Sequence, residues 1–166
     1  MEKAANIRLA TVEDTLAVSN VLKEAAHWLE QLGMPLWQER ELEPVSIAAD
    51  VAEGLFFMAE YSGDAAGVVK FQLEDAVCWP DVPQGEAAYL HRLAIRRRYA
   101  GTGLSKEILR WASERTRHLG RRYLRLDCVA SRRRLRSVYE SFGFRHHDDR
   151  QVGPYFVSRY ELSMYE

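Results

Sequence analysis

The sequence predicts an α/β domain built on a mixed sheet. Two observations carry that expectation. Apolar runs of strand length alternate with segments of helical spacing along the whole chain. At 166 residues, with no repeat, low-complexity segment or linker, the chain suits one domain spanning 1–166 with a sizeable core.

The elements follow in order. "NIRLA" from Asn6 reads as a first strand. Thr11, with Asp14 three residues on, forms a capping-box signal. Leu16, Val18, Val21, Leu22, Ala25, Leu29 and Leu32 then recur at mostly helical spacing until Gly33 and Pro35 stop the helix. A second short helix fits Val45 to Ala52. "LFFMAEY" and "AAGVVKFQL", separated by "SGD", predict a hairpin of strands two and three. "EDAVCWPDVPQGE" reads as a loop from its Pro and Gly content. "AAYLHRLAI" is the fourth strand, residues 104–119 a helix closed by Gly120, and "YLRLDCVA" the fifth strand. "RRLRSVYESFG" is a helix ending at Gly143, and the tail reads as two strands around "VGP".

Composition narrows the function classes. Hydrophobic residues make up 47% and charged residues 28%, as in soluble globular proteins. Lys and Arg number 23 against 24 Asp and Glu, so the basic field that gathers nucleic acid is absent. No apolar run approaches a membrane span, and "MEKAANIRLA" lacks the apolar core of a secretory signal. Cys78 and Cys128 stand in no metal spacing and read as reduced core thiols of a cytoplasmic protein. No metal, nucleic-acid or membrane partner is therefore expected.

The sharpest local signal is "YAGTGLSK", Tyr99 to Lys106, between the fourth strand and a helix. A Walker loop needs Gly-Lys-Ser/Thr, and here Lys106 follows Ser105. A dinucleotide fingerprint needs a third glycine where Lys106 stands, and too little chain follows for a doubly wound sheet. The remaining option is a pyrophosphate cradle for coenzyme A. Glycines let consecutive N–H groups face the phosphates, and the helix N-terminus adds its positive end.

The loop resembles motif A, [RQ]-x-x-G-x-[GA], of the GNAT superfamily of acyl-CoA N-acyltransferases. "RYAGTG" (98–103) matches literally. "AGTGLS" (100–105) is the preferred register, because Tyr99 supplies the aromatic before the motif and Ile108 and Leu109 the aliphatic pair after it. In that register Ala100 replaces the Arg/Gln and Ser105 the last small residue, and Arg98 stands nearby as a substitute charge. "RRRLRSVYESFGF" is similar to the family's N-x-x-A-x-x-x-Y-x-x-x-G-F: Tyr139, Gly143 and Phe144 match, while Arg132 stands for Asn and Leu135 for Ala. The resemblance covers essentially the whole chain. It implies a central, mostly antiparallel mixed sheet of about seven strands, helices on both faces, and splayed strands four and five. It also implies acetyl transfer from acetyl-CoA to a primary amine in a ternary complex. A small-molecule, peptide or protein amine is the implied partner, and a homodimer is left open.

Residue roles follow from that resemblance and from acid–base chemistry. The backbone of Leu93, Ala94 and Ile95 is implied to pair with the pantetheine arm and acetyl oxygen. Arg98, Tyr99, Ala100, Gly101, Thr102, Gly103, Leu104 and Ser105 are implied to hold the pyrophosphate, with Arg132 and Tyr139 also near the cofactor. An alkyl ammonium has a pKa near ~10.4, so a base must take a proton first. His91 is the candidate base, since imidazole titrates near ~6.5. A hydrogen-bonded, half-buried strand histidine is the alternative reading. Alternation puts Tyr89, His91 and Leu93 on one strand face. Glu86 is the second candidate base, a solvated loop carboxylate otherwise. Tyr139 matches the family's general acid, able to return a proton to the departing thiolate. Trp28, Trp37, Tyr89 and Tyr155 are candidate acceptor-site residues, with Phe156, Trp79 and Asp81 nearby in sequence terms. Core packing is the alternative for each Trp. A CoA-binding regulatory module without turnover, or use of another acyl-CoA, are the competing functions.

Overall fold

A computed structural model describes residues 4–165. Seven strands are present: β1 (Asn6–Leu9), β2 (Phe56–Tyr61), β3 (Asp64–Gln72), β4 (Ala87–Ile95), β5 (Tyr123–Val129), β6 (Arg145–Val152) and β7 (Tyr155–Ser163). Their order in the sheet is β1-β2-β3-β4-β5-β7-β6. The β4–β5 pair is parallel, while β1–β2, β2–β3, β5–β7 and β6–β7 are antiparallel. The helices are α1 (Thr15–Gln31), α2 (Glu39–Leu42), α3 (Pro44–Ala52), α4 (Leu104–His118) and α5 (Arg133–Phe142). Among the described residues no helix is long and apolar enough to cross a membrane.

The chain divides into two compact units. One runs up to Lys70 and includes Arg92–Ile108. Its core gathers Val18, Val21 and Leu22 of α1, Leu42 of α2, Ile47 and Val51 of α3, Phe56 and Met58 of β2, Val68 of β3 and Ala94 of β4. These are the positions that the 3.6 and 2.0 residue periods turn inward. The Thr11 signal is used one step earlier than predicted. The Thr11 amide donates to Asp14 at 2.7 Å, and Val12–Asp14 make a 3-10 turn before α1 begins. Arg8 grips the same Asp14 carboxylate through two nitrogens, at 2.7 and 2.9 Å. The short α2 has too few residues for periodicity to predict. The β2–β3 turn is Ser62-Gly63, both at positive φ, which matches the strand twist.

Gly67 of β3 shows why a glycine interrupts that strand. A Cβ there would lie 3.0 Å from the carbonyl oxygen of Ala94 and 3.1 Å from Ile95 Cδ1. The glycine lets β3 approach the end of β4, where Arg96 N–H donates to Ala66 at 2.8 Å.

The other unit comprises Phe71–His91 and the chain from Leu109 onward. Trp79, Ala87 and Tyr89 form one buried cluster with Cys78, Val82 and Tyr123 against it. Leu124, Leu126, Tyr139, Phe144 and Tyr160 are also buried. β6 is an edge strand carrying "RHHDDR", and its charges guard the open edge.

The β4–β5 ladder runs from Ala87↔Tyr123 to Leu90↔Leu126 and ends there, while β5 continues along β7 to Val129. This is the splay of strands four and five. Arg92, two residues beyond Leu90, has φ +55. A left-handed non-glycine residue breaks the pleat. The alternation that predicts Tyr89, His91 and Leu93 on one face therefore does not run unbroken through β4.

Candidate active site

The glycine loop lies in the first unit. A 3-10 turn, Arg97–Tyr99, leads out of β4. Tyr99 stacks on Tyr61 at 5.3 Å between centroids, and the Tyr61 hydroxyl donates to Glu107 at 2.8 Å. Thr102 locks the bend, its hydroxyl donating to the Tyr99 carbonyl at 2.6 Å. Gly101 and Gly103 both have positive φ, +77 and +86. The Glu107 amide donates to the Gly103 carbonyl at 3.1 Å, so Gly103 is the residue that starts α4. The amides of Leu104, Ser105 and Lys106 are then first-turn donors with no intrahelical acceptor. A Cβ on Gly101 or Gly103 would meet nothing within 4 Å, so their outer faces are open. Leu104 is buried and anchors the turn, while Ala100 and Arg98 are exposed. Arg98 lies over the Tyr99 ring at 5.0 Å. The loop therefore offers three amides, two bare glycines and a positive helix end, which suits a pyrophosphate.

In this unit the guanidinium of Arg97 covers Trp28 at 3.7 Å and that of Arg92 covers Trp37 at 5.0 Å. Each of these proposed substrate walls already holds a cation of the protein itself.

The second unit carries the residues that the sequence singled out for acid–base chemistry. His91 Nε2 lies 2.7 Å from Asp75 Oδ2, and its Nδ1 lies 3.7 Å from Asp127 Oδ1. Cys78 completes the group, with one donor atom from each of the four residues within 4.8 Å of the others. Each imidazole nitrogen faces a different carboxylate. Burial is the largest influence on Asp75 and opposes ionisation, but the hydrogen bond and charge of His91 and two backbone amides outweigh it and hold the carboxyl below its ordinary range. Burial, with the charge of Asp75, pushes Asp127 up. Burial likewise pushes the Cys78 thiol up.

Tyr139 of α5 is 4% exposed and packs its ring on Phe144 and Tyr160. Burial, then the charge of Cys128, raises its phenol above the ordinary value, and Arg132 opposes this. Tyr139 is thus a proton holder at every physiological pH. Arg132 itself is half-buried at the start of α5.

Other candidates from the sequence have partners of their own within the fold. Glu86, the second candidate base, is held by Arg125 Nη2 at 2.6 Å. Tyr89 is 4% exposed, and its hydroxyl accepts from Arg125 at 3.2 Å, so it is core rather than substrate wall. Trp79 is buried under Arg159 at 4.4 Å, and Asp81 accepts from Arg159 at 2.7 and 3.1 Å, so neither is free for an amine cation. Tyr155 is half-buried opposite Val152 at the β6–β7 turn, and Phe156 is exposed.

Sequence reasoning missed Asp75 and Asp127. The available signal was an Asp inside the apolar fifth strand, "YLRLDCVA", and an Asp just before a cysteine and tryptophan in a loop. Neither stands at a local spacing from His91.

Comparison with known proteins agrees with this architecture. A model of the acetyltransferase (GNAT) family matches residues 20–144. The chain belongs to that family. It is 31% identical over 141 residues to the uncharacterized N-acetyltransferase YesJ of Bacillus subtilis (strain 168), covering 81% of this chain and 78% of that one. Among solved structures, a GNAT-family acetyltransferase from Listeria monocytogenes 4b F2365 matches with a TM-score of 0.79 at 22% identity, over 98% of each chain. YncA of Salmonella typhimurium, solved with its cofactor acetyl-CoA, matches with a TM-score of 0.75 at 15% identity, over 99% of this chain and 96% of that one. These two share the fold of this chain.

Proposed function

We propose that residues 1–166 act as one N-acetyltransferase domain that moves an acetyl group from acetyl-CoA to a primary amine. The observation that carries this reading is the Gly101–Gly103 bend at the start of α4, with its first-turn amides and open outer face. Membership of the GNAT family and the acetyl-CoA bound to YncA support the choice of cofactor. Leu93, Ala94 and Ile95 continue β4 beyond the last rung of its ladder with β5, which suits backbone pairing with a pantetheine arm.

The chemistry divides among few groups. The ammonium gives one proton to His91, directly or through a water, and keeps the electron pair. That pair attacks the thioester carbon, forming the C–N bond, and the C–S bond breaks with its electrons leaving on sulfur. Tyr139 protonates the thiolate and regains a proton as the new amide nitrogen sheds its second one, and His91 releases its proton to solvent. Net, one ammonium and one thioester become an amide, a thiol and a proton.

Thiol release from acetyl-CoA with a panel of primary amines tests the reading. The expected result is amine-dependent release, with CoA competing and NAD or ATP not competing. Tight acetyl-CoA binding with no release for any amine would make the chain a CoA-binding regulatory module. Faster release from longer thioesters would change the acyl donor.

A further inference from the structure

Asp75 and Asp127 have no part in the roles assigned above, yet both are built around His91. The side chain of Asp75 is 4% exposed. Its Oδ1 accepts from the backbone amides of Val77 and Cys78, at 3.2 and 3.0 Å. That turn fixes the carboxylate and leaves Oδ2 for His91 Nε2 at 2.7 Å. An ionised carboxylate only accepts, so Nε2 must carry the hydrogen. The lone pair of the neutral ring then sits on Nδ1. On that side Asp127 Oδ1 is buried and has no hydrogen-bond partner among the described residues. At 3.7 Å it is too far from Nδ1 for a hydrogen bond, but it is the nearest acceptor for a proton arriving there.

We propose that Asp75 is a positioning residue that fixes His91 in the Nε2–H tautomer, making Nδ1 the proton-accepting atom, and that Asp127 receives the Nδ1–H once it forms. The inference rests on His91 being the base. In the transfer, an N–H bond of the ammonium breaks, an Nδ1–H bond forms, and the electron pair stays on the amine. The resulting imidazolium lies between two carboxylates, and the orphaned Asp127 oxygen gains a donor. The other groups that bear on this cluster are Cys78, from the same loop as Asp75, and Arg159 of β7, which acts on Asp127.

The test joins histidine ¹⁵N NMR with pH profiles of kcat/KM, using one good amine. The neutral His91 ring of the wild type is expected to show a protonated Nε2. In Asp75→Asn the side-chain amide can donate to Nε2, so the tautomer is expected to flip to Nδ1–H. kcat/KM should then fall roughly 10²–10⁴-fold, as when a histidine base is left in the wrong tautomer. Asp127→Asn should keep the Nε2–H tautomer. In both variants the rising limb should move to lower pH, because the imidazolium loses a carboxylate partner. A purely structural loss would lower the rate at every pH without moving the limb. Asp75→Glu should restore part of the activity. An Nδ1–H tautomer in the wild type overturns the proposal. So does an Asp75→Asn profile within about threefold of wild type, where His91→Ala has lost the limb. An unchanged profile in His91→Ala overturns the reading of His91 as base, and this inference with it.

Discussion

Tyr139 shows what a single side chain can do when its environment sets its proton. A free phenol titrates near ~10, and burial holds this one higher. A general acid must be protonated to act, so its contribution persists until pH rises past its pKa. No falling limb from Tyr139 is therefore expected below about pH 10. Tyr139→Phe should lower kcat by roughly 10²–10⁴ and leave acetyl-CoA affinity nearly intact, measured by single-turnover kinetics and calorimetry. Turnover within threefold of wild type would assign the acid elsewhere. At this scale the sequence named Tyr139 and His91 because each sits in a short motif. It could not name Asp75 and Asp127, because a loop and a neighbouring strand bring them to His91 only on folding.

The element proposed to hold the cofactor is a bend and the first turn of a helix. Gly101 and Gly103 are needed for backbone reasons: both have positive φ, where a side chain costs about 1–3 kcal/mol for a bulky residue. Protein atoms leave their Cβ directions open, and on the proposed reading a side chain there would enter the space of the cofactor. Gly103→Val should raise the Kd for CoA by at least tenfold, about 1.4 kcal/mol, in calorimetry on a variant whose circular dichroism is native. Unchanged affinity in the folded variant would remove the loop from the cofactor site. The loop was legible in sequence because two glycines between a strand and a helix signal special backbone. The left-handed Arg92 in β4 was not, since nothing in "YLHRL" marks a broken pleat.

At the scale of the whole molecule, carboxylates tied to arginines set the response to acid. Asp14, held by Arg8, and Asp81 and Asp148, held by Arg159, lie below their ordinary range. Asp75 and Asp149 are lowered too. Depressed groups add stability that is full above their unfolded pKa and lost as pH falls through the folded one. Asp127 is raised and acts in the opposite sense. The lowered groups are more numerous, so the melting temperature should be level from pH 7 to about 5 and fall below about pH 4. Arg159 is fully buried, stacked on Trp79 and bonded to Cys78 O at 3.1 Å. Arg159→Met should cost about 2 kcal/mol, or roughly 4–8 °C, and weaken the acid dependence. A melting curve of that variant identical to wild type would show that the network contributes nothing.

The sequence by itself determined the order of the strands, all the longer helices and the family, and it singled out the glycine loop, because these rest on local periods and on residues close together in the chain. Tertiary structure alone decided which side chains face His91 and which partners the acceptor-site candidates take. Asp75, His91 and Asp127 meet through a loop and two strands, and the tryptophans and Glu86 find arginine partners far along the chain. Pairing of buried charges is a contest among all the groups that folding brings together, and no local pattern records who wins it.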